Sequence, residues 1–179
     1  MAEVVSVSAR NGHGLGKNVV PEILLIEGQG VAGDAHSGVT VKHRSRVAKD
    51  PSQPNLRQVH LIHAELLDEL AERGFDVKPG ELGENVLTCG IDLLGLPEGS
   101  EVHFPSGACV RITGLRNPCG QINGHSAGLM DALLSRAADG SLIRKGGVMG
   151  IVLRSGVVKA SDRVTYVTFE GQHGPLRPV

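Results

Sequence analysis

Aromatic side chains are almost missing from this chain, which has no tryptophan, one tyrosine and three phenylalanines among 179 residues. Aliphatic packing must therefore build the core, and 25 glycines point to many tight turns. Cysteine is scarce as well. Cys89, Cys109 and Cys119 are odd in number and form no C-x-x-C pair, which argues against a disulfide framework and for reduced, intracellular thiols. Neither sign of charge is in excess: 18 Lys and Arg face 19 Asp and Glu, for a formal net charge of -1. That leaves no general electrostatic case for nucleic acid or an anionic membrane, and neither is expected as a partner. No apolar run approaches the roughly 20 residues that span a bilayer. The first ten residues lack the basic and apolar regions of a secretion signal, so a soluble cytoplasmic protein is expected.

What is present reads as a single domain over 1–179, with a core from about residue 4 to 169. A chain of this size buries about 70% of the surface that it exposes when extended. Alternating Val and Ser at 4–9 and short runs at 22–27, 57–63 and 91–94 predict strands, and 79–88 turns into another. Residues 101–104 and 109–114 predict a hairpin around Pro105-Ser106-Gly107, and 148–153 and 163–169 predict closing strands joined through Gly156. Leu66, Leu67 and Leu70 make one stripe of a helix over 64–73 that Gly74 ends, with His63 near its cap. Leu129, Leu133 and Leu134 suggest a second helix over 127–138. Strands mostly follow one another without helices between them, so the fold expected is mostly β, a barrel with a few short helices.

Cys119 stands out among the candidate functional residues. It follows an Arg116-Asn117-Pro118 turn, where arginine favours a thiolate, and such a sulfur can act as nucleophile or soft-metal ligand. By contrast, Cys109 alternates with apolar neighbours and reads as a core position, and Cys89 ends a strand and reads as structural or incidental. Two glycine-dense loops carry further candidates. Residues 11–17 resemble a phosphate loop only loosely, because no G-K-[ST] ending is present, and read rather as a mobile turn; residues 28–38 hold Asp34 and His36. The polar stretch 41–55, with Lys42, His43, Arg44, Arg46 and Lys49, reads as a surface flap or a solvated insertion. His60 alternates with apolar residues and reads as a hydrogen-bonded core position. Asp34, His36, His60 and Cys119 could converge on zinc, but no ligand spacing demands it. No G-x-G-x-x-G opens a helix, so a nicotinamide site is unsupported.

Five blocks in series carry a resemblance: Gly33-Asp34-Ala35-His36-Ser37-Gly38, Arg57-Gln58-Val59, Pro79-Gly80-Glu81-Leu82-Gly83-Glu84-Asn85, Gly90-Ile91-Asp92-Leu93 and Arg116-Asn117-Pro118-Cys119. Their order and spacing resemble the MOSC domain, which is found at the C-terminus of molybdenum cofactor sulfurases. The likeness runs over about 4–169. Ser161 departs from it, standing before Asp162 where such domains often have a Gly-Asp turn.

The resemblance implies a β-barrel and a molybdenum cofactor, molybdopterin, in this site. By it Cys119 is the metal ligand or persulfide carrier, Asn85 and Arg116 line the pocket, and Asp34, His36 and Arg57 are structural or pocket-edge members. A thiolate would complete the soft coordination of the metal. The cofactor's phosphate calls for cations, for which Arg116, Arg57 and the 42–49 region are candidates. Asn85 would orient oxygens on the metal, and His36 would move a proton, as His60 could less readily.

Two catalytic readings and one binding reading follow. The first is a reductase of N-hydroxylated small molecules, fed by a separate electron-transfer reductase because the chain has no flavin (FAD) motif and no cysteine set for an iron-sulfur cluster. The second is a sulfur carrier or transferase with a Cys119 persulfide, held in its anionic form by Arg116 and supplied by a cysteine desulfurase, since no pyridoxal-phosphate (PLP) domain is recognisable. The third is a non-enzymatic binding or delivery protein for the cofactor.

Overall fold

The structure, a computed structural model, describes residues 1–14, 16–42, 47–169 and 174–179. Among the described residues thirteen strands form three sheets. The largest contains eight strands: β1 (Glu3–Ala9), β2 (Asn18–Val20), β5 (Val59–His63), β6 (Val86–Cys89), β7 (Glu101–His103), β8 (Cys109–Leu115), β11 (Val148–Arg154) and β13 (Thr165–Val167), in the order β13-β7-β8-β11-β5-β6-β1-β2. A three-stranded sheet has the order β12-β3-β4, from Gly156–Lys159, Glu22–Ile26 and Gly30–Val31. The last is a hairpin of β9 (Leu134–Arg136) and β10 (Leu142–Arg144).

The expected barrel does not form. Strands β3, β4 and β12 pair among themselves, and the outer strands β13 and β2 of the large sheet do not pair with each other. The sheet stays open because the strands that could close it complete a separate sheet. The two sheets share one aliphatic cluster in which Val4, Val7, Leu61, Val86, Val110 and Val148 of the large sheet meet Ile23, Leu25, Val31 and Val158 of the small one. This is how a chain so poor in rings makes a core. In β1 the alternation of Val4 in and Val5 out is broken by a bulge between Val4 and Ser6, after which Val7 faces the core again.

All pairings but one in the large sheet are antiparallel; β5 and β6 run parallel. A parallel pair needs a crossover, which α1 (Glu65–Glu72) supplies. Leu66 and Leu70 of α1 are buried with Ile62, Leu82, Leu87, Leu129 and Leu133 in a second cluster. No side chain caps the start of α1, and His63 leaves its Nδ1 buried without a hydrogen bond, so the capping role expected of His63 is absent. Gly74, at φ +85°, ends the helix by turning the chain where an L side chain would be strained.

Two element expectations change. Residues 91–94 form turns rather than a strand, with Leu93 N–H donating to Ile91 C=O. The helix expected over 127–138 is one turn, α2 (Leu129–Ala132), and the chain then enters β9. Asp139-Gly140, with Gly140 at φ +83°, is a hairpin turn, and it overrides the helical spacing of the leucines. Cys109 is buried, but on the face of β8 opposite Val110 and Ile112 and outside the aliphatic cluster.

Ser161 holds φ +68°, the one non-glycine residue at positive φ among the described residues. A left-handed side-chain residue costs about 1–2 kcal/mol, against the roughly 0.5–1 kcal/mol that glycine's extra freedom costs. Ser161→Gly is expected to raise the unfolding free energy by about 0.5–1 kcal/mol, read from denaturant titration. An unchanged or lowered midpoint would remove strain at this turn from the account.

Candidate functional site

A cleft of about 670 Å³ opens where the two halves of the large sheet meet. Arg10, His13 and Lys17 line it from the loop after β1, His36 from the loop after β4, and Arg57 and His60 from β5 and its approach. The turn before β6 adds Glu81 and Asn85. From the other half come Arg116, Asn117 and Cys119 after β8, with Met149 of β11. His125 also lines it, and its Nε2 lies 2.9 Å from Glu81 Oε2, which ties the two walls together.

Asp34 anchors one wall from just beneath the surface of the cleft. Its carboxylate accepts the backbone N–H of His36 at 3.0 Å and of Arg10 at 3.3 Å. The Lys17 ammonium lies 3.0 Å away, the Asn85 amide donates to it at 3.1 Å, and His36 Nδ1 sits at 3.3 Å. Burial by itself would raise the carboxyl pKa, but His36 and Lys17 outweigh it and hold Asp34 well below the usual carboxylate range. Burial also lowers the Lys17 pKa, against the pull of Asp34.

Asn85 ties this anchor to the sheet. Its amide donates to Ser8 C=O and Asp34, its side-chain oxygen accepts His60 N–H at 3.2 Å, and its backbone N–H donates to His60 C=O. Both of its amide N–H groups are therefore used within the protein. Asn55 closes the base of the 41–55 stretch by donating to His36 and Gly38 carbonyls and accepting Arg57 N–H. Of the basic residues expected there to meet a phosphate, Lys42 and Lys49 do not line the cleft, and His43, Arg44 and Arg46 lie outside the described residues.

The opposite wall carries the thiol. Cys119 is exposed, in extended conformation before a short 3-10 helix, Gly120–Gly124. Beside it Arg116 is half-buried, and its Nη1 is buried with no hydrogen-bond partner. Burial depresses the Arg116 pKa, while Cys119 and Glu84 act to raise it. Glu84 is also buried, with one oxygen accepting Gly80 N–H and the other unpartnered, and burial raises its carboxyl pKa. His60 Nε2 lies 2.7 Å from Gly146 C=O. Burial, then the nearby Arg116, pushes its pKa well below that of free histidine.

The structure thus gathers Cys119, Arg116, Arg57, His36 and Asn85 around one cleft, with Asp34 behind it. The sequence reading missed Lys17 and Glu84. Lys17 had its signal in the glycine loop that it ends, while Glu84 sat unremarked inside a quoted block. The zinc set Asp34, His36, His60 and Cys119 does not bring three ligand atoms together among the described residues. A different group does: ligand atoms of Glu101, His103 and Cys109 lie within 4.8 Å of one another and can hold a metal ion.

Fold and site together define a mostly β, thiol-bearing protein with a cationic cleft. The MOSC domain model matches residues 44–165, and the chain belongs to the MOSC domain family. It is 36% identical over 96 residues to YuaD of Bacillus subtilis (strain 168), a protein named provisionally for metal-sulfur cluster biosynthesis. That match spans 50% of this chain and half the length of the relative. The crystal structure of Bacillus subtilis YuaD is similar with a TM-score of 0.78 and 24% identity, covering 95% of this chain and 98% of that one. YiiM from Geobacillus stearothermophilus is similar with a TM-score of 0.66 and 18% identity, over 93% of this chain and 75% of that one.

Because the folded Asp34 pKa lies below its unfolded value, its contribution to stability is present above about pH 4 and is lost as pH falls further. Asp34→Asn is expected to be less stable at neutral pH and to lose less of its remaining stability between about pH 4 and pH 2. Denaturant midpoints measured across that range check this. Parallel acid limbs in both proteins would take Asp34 out of the explanation.

Proposed function

We propose that this protein is a sulfur carrier in the assembly of a metal-sulfur cofactor, with Cys119 holding a transferable sulfur as a persulfide. The observation that carries the reading is the pairing of an exposed thiol with a half-buried arginine whose buried Nη1 has no partner, at the edge of one cleft. An unpartnered buried donor is costly unless an acceptor meets it in use, and an anionic sulfur is such an acceptor. The relative named for metal-sulfur cluster biosynthesis supports the same direction.

The transfer needs no outside oxidant. The Cys119 thiolate attacks the outer sulfur of a donor persulfide, R–S–SH, forming Cys119–S–SH while the donor's S–S bond breaks and its electron pair leaves as the thiolate R–S⁻. Arg116 holds the negative charge, and the Lys17–Asp34 pair keeps the facing wall in place. A cysteine desulfurase is the class of donor that supplies such a persulfide.

The cleft also fits an anionic pterin cofactor. Cys119 would be the soft ligand, and Arg116 and Arg57 would face its phosphate; the bound group would supply redox chemistry at molybdenum. Asn85 would keep its bonds to Ser8 and Asp34 rather than turn toward such a ligand. Reduction of N-hydroxylated compounds would use this same cleft with His36, on Asp34, moving the proton.

The protein incubated with a cysteine desulfurase and cysteine is expected to gain one sulfur atom on the Cys119 peptide by mass spectrometry, released by cyanide, and Cys119→Ser none. Arg116→Met should lower loading about tenfold or more, the loss of one charge-assisted hydrogen bond. Absence of sulfur from the wild type, with molybdenum and pterin copurifying and turnover of hydroxylamines given a reductase, would replace this reading by the reductive one.

A further inference from the structure

We propose that Glu101, His103 and Cys109 form a second site, separate from the cleft, for a borderline divalent cation of the Zn²⁺ class, and that Arg154, when no metal is bound, holds His103 in the tautomer that cannot ligate it. The β7–β8 hairpin creates the site by register. His103 pairs directly across from Cys109, and Glu101 lies two residues before His103 on the same face of β7. Val102 and Val110, on the other face, fill the core and fix the hairpin from beneath.

The distances fit one ion. Cys109 Sγ and His103 Nε2 each lie 3.8 Å from Glu101 Oε2. Metal legs of about 2.0–2.3 Å at tetrahedral angles give ligand-to-ligand edges of about 3.3–3.8 Å, so only small shifts close the shell. His103 Nε2 is buried without a hydrogen bond, as expected of a nitrogen that lacks its natural partner. Arg111 Nη2 takes the other Glu101 oxygen at 3.0 Å, which orients the carboxylate and leaves Oε2 for the ion. A thiolate, an imidazole and a carboxylate select zinc-like ions over magnesium or calcium, and three protein ligands leave a fourth position open.

Arg154 supplies the second half of the inference. It pairs with Cys109 in register on β11, and its Nη2 lies 3.0 Å from His103 Nδ1. An arginine is always a donor, so Nδ1 accepts and Nε2 carries the hydrogen in this arrangement. Ligation through Nε2 requires that hydrogen on Nδ1, where it would face the guanidinium. Metal and Arg154 therefore exclude one another at His103. The site lies at the start of β8 and Cys119 lies beyond its end, roughly 20 Å of strand away, so it does not depend on the sulfur-carrier reading.

The test uses Co²⁺ as a spectroscopic probe on the full chain carrying Cys119→Ser, which removes the exposed thiol. One equivalent is expected to give a thiolate-to-cobalt charge-transfer band with tetrahedral visible bands, displaced by Zn²⁺. His103→Gln and Glu101→Gln should each weaken binding at least tenfold while circular dichroism stays that of the folded protein. Arg154→Ala should tighten binding. No band at stoichiometric Co²⁺, or a band that survives both the His103 and Glu101 variants, overturns the site. Unchanged affinity in Arg154→Ala overturns the competition.

Discussion

The buried carboxylate of Asp34 is the constraint on which the cleft depends. Four segments distant in sequence meet on its two oxygens: the end of β1 through Arg10 N–H, the glycine loop through Lys17, its own loop through His36, and the turn before β6 through Asn85. A charge taken out of water is tolerable only when its partners are complete, and here all of them are loops that have few other reasons to keep their shape. Removing one partner leaves the remaining charge uncompensated, so the loops hold together as a unit. Asn85 passes that order to the backbone of β1 and β5.

The opposite wall is built on a different principle. There a cation is left incompletely satisfied: Arg116 Nη1 is buried without a hydrogen-bond partner. The Asp34 carboxylate is met by partners of its own wall, while Arg116 keeps donor capacity for something that enters. Under the proposed sulfur-carrier reading this asymmetry favours Cys119 over the glycine loop, whose Lys17 is already committed to Asp34.

Much of this was legible in the sequence because it was local. The Arg116 to Cys119 turn, the Asp34 to His36 loop and the Leu66, Leu70 stripe each follow from neighbours a few residues apart, and the five-block series placed the chain in its family. What was not legible depends on pairing across the chain. Strand spacing does not say whether 22–26 joins the large sheet or pairs with 156–159, and that choice leaves the sheet open instead of closing it. Likewise the leucines at 129, 133 and 134 have helical spacing, but the Asp139-Gly140 turn offers 134–136 a strand partner. Lys17 looked like a solvated or phosphate-binding lysine because nothing nearby in sequence announces Asp34.

The place of β11 in the sheet has a consequence for the order in which the molecule can be made. β11 lies between β8 and β5, so its ladders join the β13-β7-β8 half to the β5-β6-β1-β2 half. One half bears Arg116 and Cys119, the other His60, Asn85 and the strand leading to Lys17. A nascent chain emerging from the ribosome therefore presents both walls before the strand that sets their spacing exists. Contacts of such long sequence separation form late, and the thiol acquires its surroundings only after residue 148 and those that follow have slotted between the two halves.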